Sequence, residues 1–175
     1  MTTFEHDSRF IETSLPQLQD YLLSDELYWP LDNSLPRLTL GALLLALRRV
    51  EAIDPSVAYR WQGQMDPIRT KWRTAWEKKA LKEIKNRLRL WSASIAEWQS
   101  ASAMSRADYP GEVRGRVILQ ILLKEVDAPQ EEAALNGLDH FLRASLRKCD
   151  FLWGPELEAA FPEDNFWFLY GKLTQ

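Results

Sequence analysis

Hydrophobic and polar positions along residues 66–102 recur with the spacing of one long helix that has two opposed faces. At about 100° per residue, Ile68, Trp72, Trp76, Ile84, Trp91, Ile95 and Trp98 fall on one side. The steps Leu81, Ile84, Leu88, Trp91, Ile95 and Trp98 alternate three and four, as in a helix packed along another helix. Nearly opposite, Lys71, Lys78, Lys82, Lys85 and Arg89 share an arc of about 60°. The last turns are rich in small residues, Ser92 to Ala96 and Ser100 to Ser102, where a neighbouring backbone can approach closely.

Five further helices are predicted. Ser14 reads as an N-cap with Pro16 in the first turn, and Leu15, Leu18, Tyr21 and Leu22 make an apolar face that ends near Ser24. Leu27 to Leu31 form an aromatic turn in which Pro30 holds Trp29 extended. Thr39 caps a second helix with Leu40, Leu43, Leu44, Leu47 and Val50 at helical spacing, apolar on most sides as a buried helix is. Asp54 and Pro55 start a short third helix that is interrupted at Gly63, and Asp66–Pro67 starts the long one. After a loop at Tyr109, Pro110 and Gly111, a fifth helix spans about 112–126. Ala128–Pro129 open a sixth, with Leu135, Leu138, Leu142, Leu146 and Cys149 on one face. Gly154 and Pro155 end it. No stretch is rich in strand signals, so the expected fold class is all-α: a single-domain bundle over residues 1–175, of about six helices around a long central one at about 66–102.

Composition sharpens this picture in two ways. Eight tryptophans in 175 residues call for a large aromatic core or an aromatic contact surface. The net charge of −3 hides a segregation: residues 1–35 carry net −6, the stretch from Arg69 to Arg89 net +7, and residues 125–164 net −7. Attraction within the fold, or between two copies, is the simplest consequence. The longest apolar run, Leu38–Leu47, is too short to cross a bilayer, and the N-terminal residues lack a basic region followed by an apolar stretch. Cys149 is alone, which excludes a disulfide framework and fits a reducing cytoplasm.

Catalytic and cofactor signatures are missing. There is no HExxH, no Cys/His metal spacing, no GxxxxGK[ST] and no GxGxxG. His6 falls in a terminus expected to fray, and His140 sits beside Asp139 on the sixth helix. Gly111 to Gly115 place two glycines at a helix start without a preceding strand. Glu131, Glu132 and Asp139 do not share one helix face, and the Glu-x-x-His pattern of a bundle dimetal site does not occur. The expectation is therefore no enzyme activity, no cofactor and no metal.

What is left is binding. The leading expectation is an interaction or structural protein that contacts a protein partner or a second copy of itself. Two surfaces are candidates: an aromatic one of Tyr28, Trp29, Phe166, Trp167, Phe168 and Tyr170, and the cation row Lys71, Lys78, Lys82, Lys85 and Arg89. The aromatic tail has two outcomes, packing as a short helix or docking on another subunit. The alternative is a nucleic-acid binder that sets the same five cations on phosphates, with a log–log salt slope of about −4.5 on duplex DNA. A ligand pocket lined by tryptophans is a third reading. No membrane partner is expected.

Overall fold

The computed structural model describes residues 3–100 and 106–173, and its fold class is all-α. Eight α-helices lie among the described residues, with one small two-stranded sheet. They are α1 Thr3–Ser14, α2 Leu18–Leu23, α3 Leu40–Ile53, α4 Pro55–Lys71, α5 Arg73–Ser100, α6 Tyr109–Leu122, α7 Pro129–Ser145 and α8 Glu163–Phe166. None of these is long and apolar enough to cross a membrane. The chain divides into two compact units, residues 1–83 and 84–175.

In the N-terminal unit α1 packs on α3 and α3 on α4. Thr39 caps α3 as expected: its side chain accepts from the Ala42 N–H at 3.1 Å. Leu40, Leu43, Leu45, Ala46, Leu47 and Val50 are buried around most of the helix circumference. Helix α1 is an element the sequence pattern did not announce, and His6 lies in it rather than in a frayed end. Its buried positions, Asp7, Phe10, Ile11 and Ser14, have helical spacing, but two of the four are polar. Asp7 is tolerated because Arg49 of α3 approaches it at 2.9 Å, and Ser14 because its hydroxyl donates to the Phe10 carbonyl at 2.7 Å. Ser14 therefore ends one helix instead of capping the next.

The long helix also differs from expectation. Asp54 caps α4 by accepting from the Ser56 and Val57 N–H groups, and α4 then continues through Gly63, Asp66 and Pro67. Gly63 does not adopt the left-handed conformation a helix stop uses, and Pro67 is accommodated inside the helix. The interruption falls at Trp72, with φ −109° and ψ 38°. The hydrogen bonds Trp72 N–H to Ile68 O and Trp76 N–H to Trp72 O, both 2.9 Å, span this kink. A helix beginning at residue 66 is thus replaced by two, and Lys71 belongs to α4. The proposed end at 102 lies outside the described residues.

In the C-terminal unit the apolar face of α5 holds as read: Ile84, Trp91, Ile95 and Trp98 are buried. Tyr109, Pro110 and Gly111 are the first turn of α6 rather than a loop, with Pro110 in a position where its missing N–H does no harm. Helix α7 stops at Ser145, because Leu146 turns extended and starts strand β1, Leu146–Lys148. β1 pairs antiparallel with β2, Gly171–Leu173, in the register Leu146↔Leu173, Arg147↔Lys172 and Lys148↔Gly171. Leu146 and Cys149 are therefore not on the α7 face. A Cβ on Gly171 would lie 3.1 Å from the Leu146 Cβ, a tight contact to which Leu146 would have to yield by a few tenths of an ångström. Trp167–Leu169 and β2 pack against α6.

Candidate binding groove

In the N-terminal unit, the first turns of α5 face the chain leaving α2 across a groove of about 190 Å³. Leu22, Leu23, Asp25, Lys78, Lys79 and Lys82 line it, among others. Lys78 and Lys82 are exposed. Lys82 Nζ donates to the Asp25 carbonyl at 2.5 Å. Lys79 is only 4% exposed, and its ammonium donates to the Ser24 carbonyl at 2.7 Å and the Glu26 carbonyl at 2.6 Å while lying 4.5 Å over the Tyr21 ring.

Burial pushes the Lys79 ammonium below its ordinary 10.5, and Lys82 and Lys78 push it the same way, against Asp25 and Glu26. Two of the three ammoniums, those of Lys79 and Lys82, are thus held by backbone carbonyls, with one carboxylate side chain among the lining residues. Leu23, 52% exposed, gives the rim an apolar lip. Lys79 was absent from the sequence-derived row because it lies to one side of the cation arc, toward the buried face. The one available signal was its place between Lys78 and Lys82 in the same turn.

The other cations of the row have different surroundings. Lys71, in the last turn of α4, lies 5.3 Å from the Trp72 ring. In the C-terminal unit Lys85 sits 3.8 Å from Glu131, and Arg89 donates to the Asn86 side-chain oxygen at 3.2 Å. Of the aromatic candidates, Tyr28 is exposed, and Trp29 is half-buried with its indole N–H on the Gln17 side chain at 2.9 Å. Phe166 and Phe168 are buried in a run of edge-on rings from Phe161 through Phe166 to Phe168. Trp167 lies under the Arg143 guanidinium at 4.0 Å, and the Tyr170 hydroxyl donates to the Phe161 carbonyl at 2.8 Å. The tail is packed within its own unit.

That unit also buries a charge pair. Arg116 of α6 meets Asp139 of α7 with two hydrogen bonds, Nε to Oδ1 at 3.0 Å and Nη2 to Oδ2 at 2.8 Å. Its Nη1 donates to Gln120 at 3.0 Å, and the guanidinium stacks on Phe168 at 4.3 Å. Nearby the buried Tyr109 hydroxyl donates to the Phe168 carbonyl at 2.6 Å, and burial pushes the phenol far above its ordinary value. A polar cavity of about 270 Å³ opens over the pair, with Lys124, Glu132, Arg143 and Asp164 on its walls, so the two signs of charge are balanced there.

The Cys149 thiol donates to the Asp150 carbonyl, and burial raises its pKa. His140 lies exposed, with Nδ1 2.8 Å from the Asn136 carbonyl. Of the carboxylates Glu131, Glu132 and Asp139, the first faces Lys85 and the last is committed to Arg116. Among the described residues no three or more His, Cys, Asp or Glu gather as a metal site. Comparison with known protein families, with curated proteins and with solved structures finds no match.

Proposed function

We propose that the chain is a non-enzymatic binding protein, and that the basic groove of its N-terminal unit takes an acidic, partly apolar segment of a partner protein. The observation that carries this reading is the gathering of Lys78, Lys79 and Lys82 around one groove with Leu23 exposed at its rim. Like charges held this close raise the local potential and favour anionic groups that dock among them. An apolar lip beside the charges suits a peptide that combines carboxylates with a hydrophobic side chain. The raised thiol pKa of Cys149 supports a role without nucleophilic chemistry, since reactive cysteines have lowered values. A free cysteine fits a reducing compartment such as the cytoplasm.

Nucleic acid is the second reading, favoured by the exposed Lys78 and Lys82. The groove has no aromatic ring among its lining residues on which a base would stack, which places this reading second. Fluorescence anisotropy separates the two. A labelled peptide of glutamates interrupted by leucines binds the chain more tightly than labelled single- or double-stranded oligonucleotides of equal charge. The reverse order would replace the protein partner with a nucleic acid, and no binding of either at low salt would remove the groove from consideration.

A further inference from the structure

A second site lies wholly within the C-terminal unit and goes beyond the partner-binding reading. It is the polar cavity of about 270 Å³ over Arg116 and Asp139. Both side chains line it although they are only 3% and 5% exposed, and their two hydrogen bonds cancel their charges. The floor is therefore fixed and neutral. Along one wall Glu132, Asn136, Asp139 and Arg143 follow in steps of four, three and four, which is one face of α7. Lys124, just past the end of α6, and Asp164 of α8 complete the charged lining.

Two cations and two carboxylates on one cavity could pair with each other. Instead Lys124, Arg143, Glu132 and Asp164 have no ion-pair partner among the described residues, and Arg143 lies over the Trp167 ring at 4.0 Å. The side-chain amides of Asn136 and Asn165 likewise have no hydrogen-bond partner among the described residues. Charges of both signs therefore stand apart around a neutral floor. An ion of one sign would leave the other sign unmatched, whereas one molecule carrying both matches both and is immobilised only once. We infer that this cavity binds a free amino acid, its carboxylate met by a cation of the wall and its ammonium by a carboxylate. The amides of Asn136 and Asn165 suit a polar side chain on that ligand. A sugar would stack on an aromatic face, and the one ring among the lining residues, Trp167, already carries the Arg143 guanidinium. The volume lies below the range of about 300–1,000 Å³ that holds drug-sized ligands, which suits an amino acid rather than a nucleotide.

Isothermal titration of the full chain with L-glutamine, N-acetyl-L-glutamine and L-glutaminamide tests this, because the two analogues lack the ammonium and the carboxylate respectively. Glutamine is expected to bind saturably and about tenfold more tightly than either analogue, as loss of one charge-assisted hydrogen bond implies. The double change Glu132→Gln with Asp164→Asn should weaken glutamine about tenfold without weakening N-acetylglutamine. Lys124→Gln with Arg143→Gln should weaken glutamine to a similar degree and spare glutaminamide. All four positions are exposed, so both variants should unfold in urea as the wild type does. Absence of saturable glutamine binding overturns the inference. So does an analogue that binds as tightly as glutamine, a comparison made on the wild-type chain and independent of how any variant folds. A glutamine affinity unchanged in either double variant overturns it as well.

Discussion

Among the described residues, each of the two units buries one basic side chain, and they treat its charge in opposite ways. Arg116 in the C-terminal unit is matched by both oxygens of the equally buried Asp139, so its charge is neutralised where it sits. Lys79 in the N-terminal unit is held by the carbonyl oxygens of Ser24 and Glu26 and a Tyr21 ring face, with Lys78 and Lys82 beside it. Carbonyl dipoles satisfy the ammonium's hydrogen bonds, and Asp25 and Glu26 attract it from nearby against the repulsion of Lys82 and Lys78. Where the charge is cancelled the pair serves the fold. Where the ammonium is held by carbonyls instead, and exposed cations adjoin it, we propose that the surface attracts an anionic partner.

Breaking the neutralised pair should have the largest effect. Asp139→Ala strands the Arg116 guanidinium in the core and should cost about 3–5 kcal/mol in urea unfolding. The double change Arg116→Met with Asp139→Leu, which removes both charges, should recover most of that loss. Tyr109→Phe leaves the Phe168 carbonyl without its donor and should cost about 1–3 kcal/mol. Lys79→Met should cost about 1 kcal/mol, since its carbonyl partners sit at a partly open rim and the removed charge was itself disfavoured. Equal losses for Asp139→Ala and Lys79→Met would erase the contrast between the units.

Alkaline titration sharpens it further. The Lys79 ammonium has a lowered pKa, so on raising pH the folded chain releases that proton before the unfolded one, and stability rises as pH approaches 10.5. The Tyr109 phenol has a raised pKa, so the unfolded chain ionises first and stability falls above pH 10. Between about pH 9 and 11, Tyr109→Phe should therefore show a weaker fall than the wild type, and Lys79→Met should lose the rise. Cys149 and Tyr170, both raised by burial, contribute the same fall to every variant. The opposite pattern would reverse the two assignments.

Much of this architecture is legible in the sequence wherever local signals and burial agree. Thr39 followed by a strongly apolar run fixed α3, and the three-four steps of Ile84, Trp91, Ile95 and Trp98 marked the buried face of α5. The pattern failed where partners distant in sequence decide. Asp7 and Ser14 hide the buried face of α1, because a carboxylate and a hydroxyl look exposed until Arg49 and the Phe10 carbonyl are placed beside them. Asp66–Pro67 looks like a helix start, yet the backbone absorbs Pro67 within α4 and breaks at Trp72, which carries no breaking signal. The groove was half visible for the same reason: Lys78 and Lys82 stand out as exposed cations, while Lys79 acquires its role from carbonyls more than fifty residues away.

The central claim is that the lysine cluster is a binding surface for an acidic segment. Its most direct test is the anisotropy of the labelled glutamate–leucine peptide against the wild-type chain and the variant Lys78→Glu with Lys82→Glu, at low and at physiological salt. Both substitutions fall on exposed positions, so the variant should match the wild type in urea unfolding to within about 0.5 kcal/mol. The account predicts binding that weakens with salt and is lost in the still-folded variant. Binding that survives the charge reversal unchanged would contradict it.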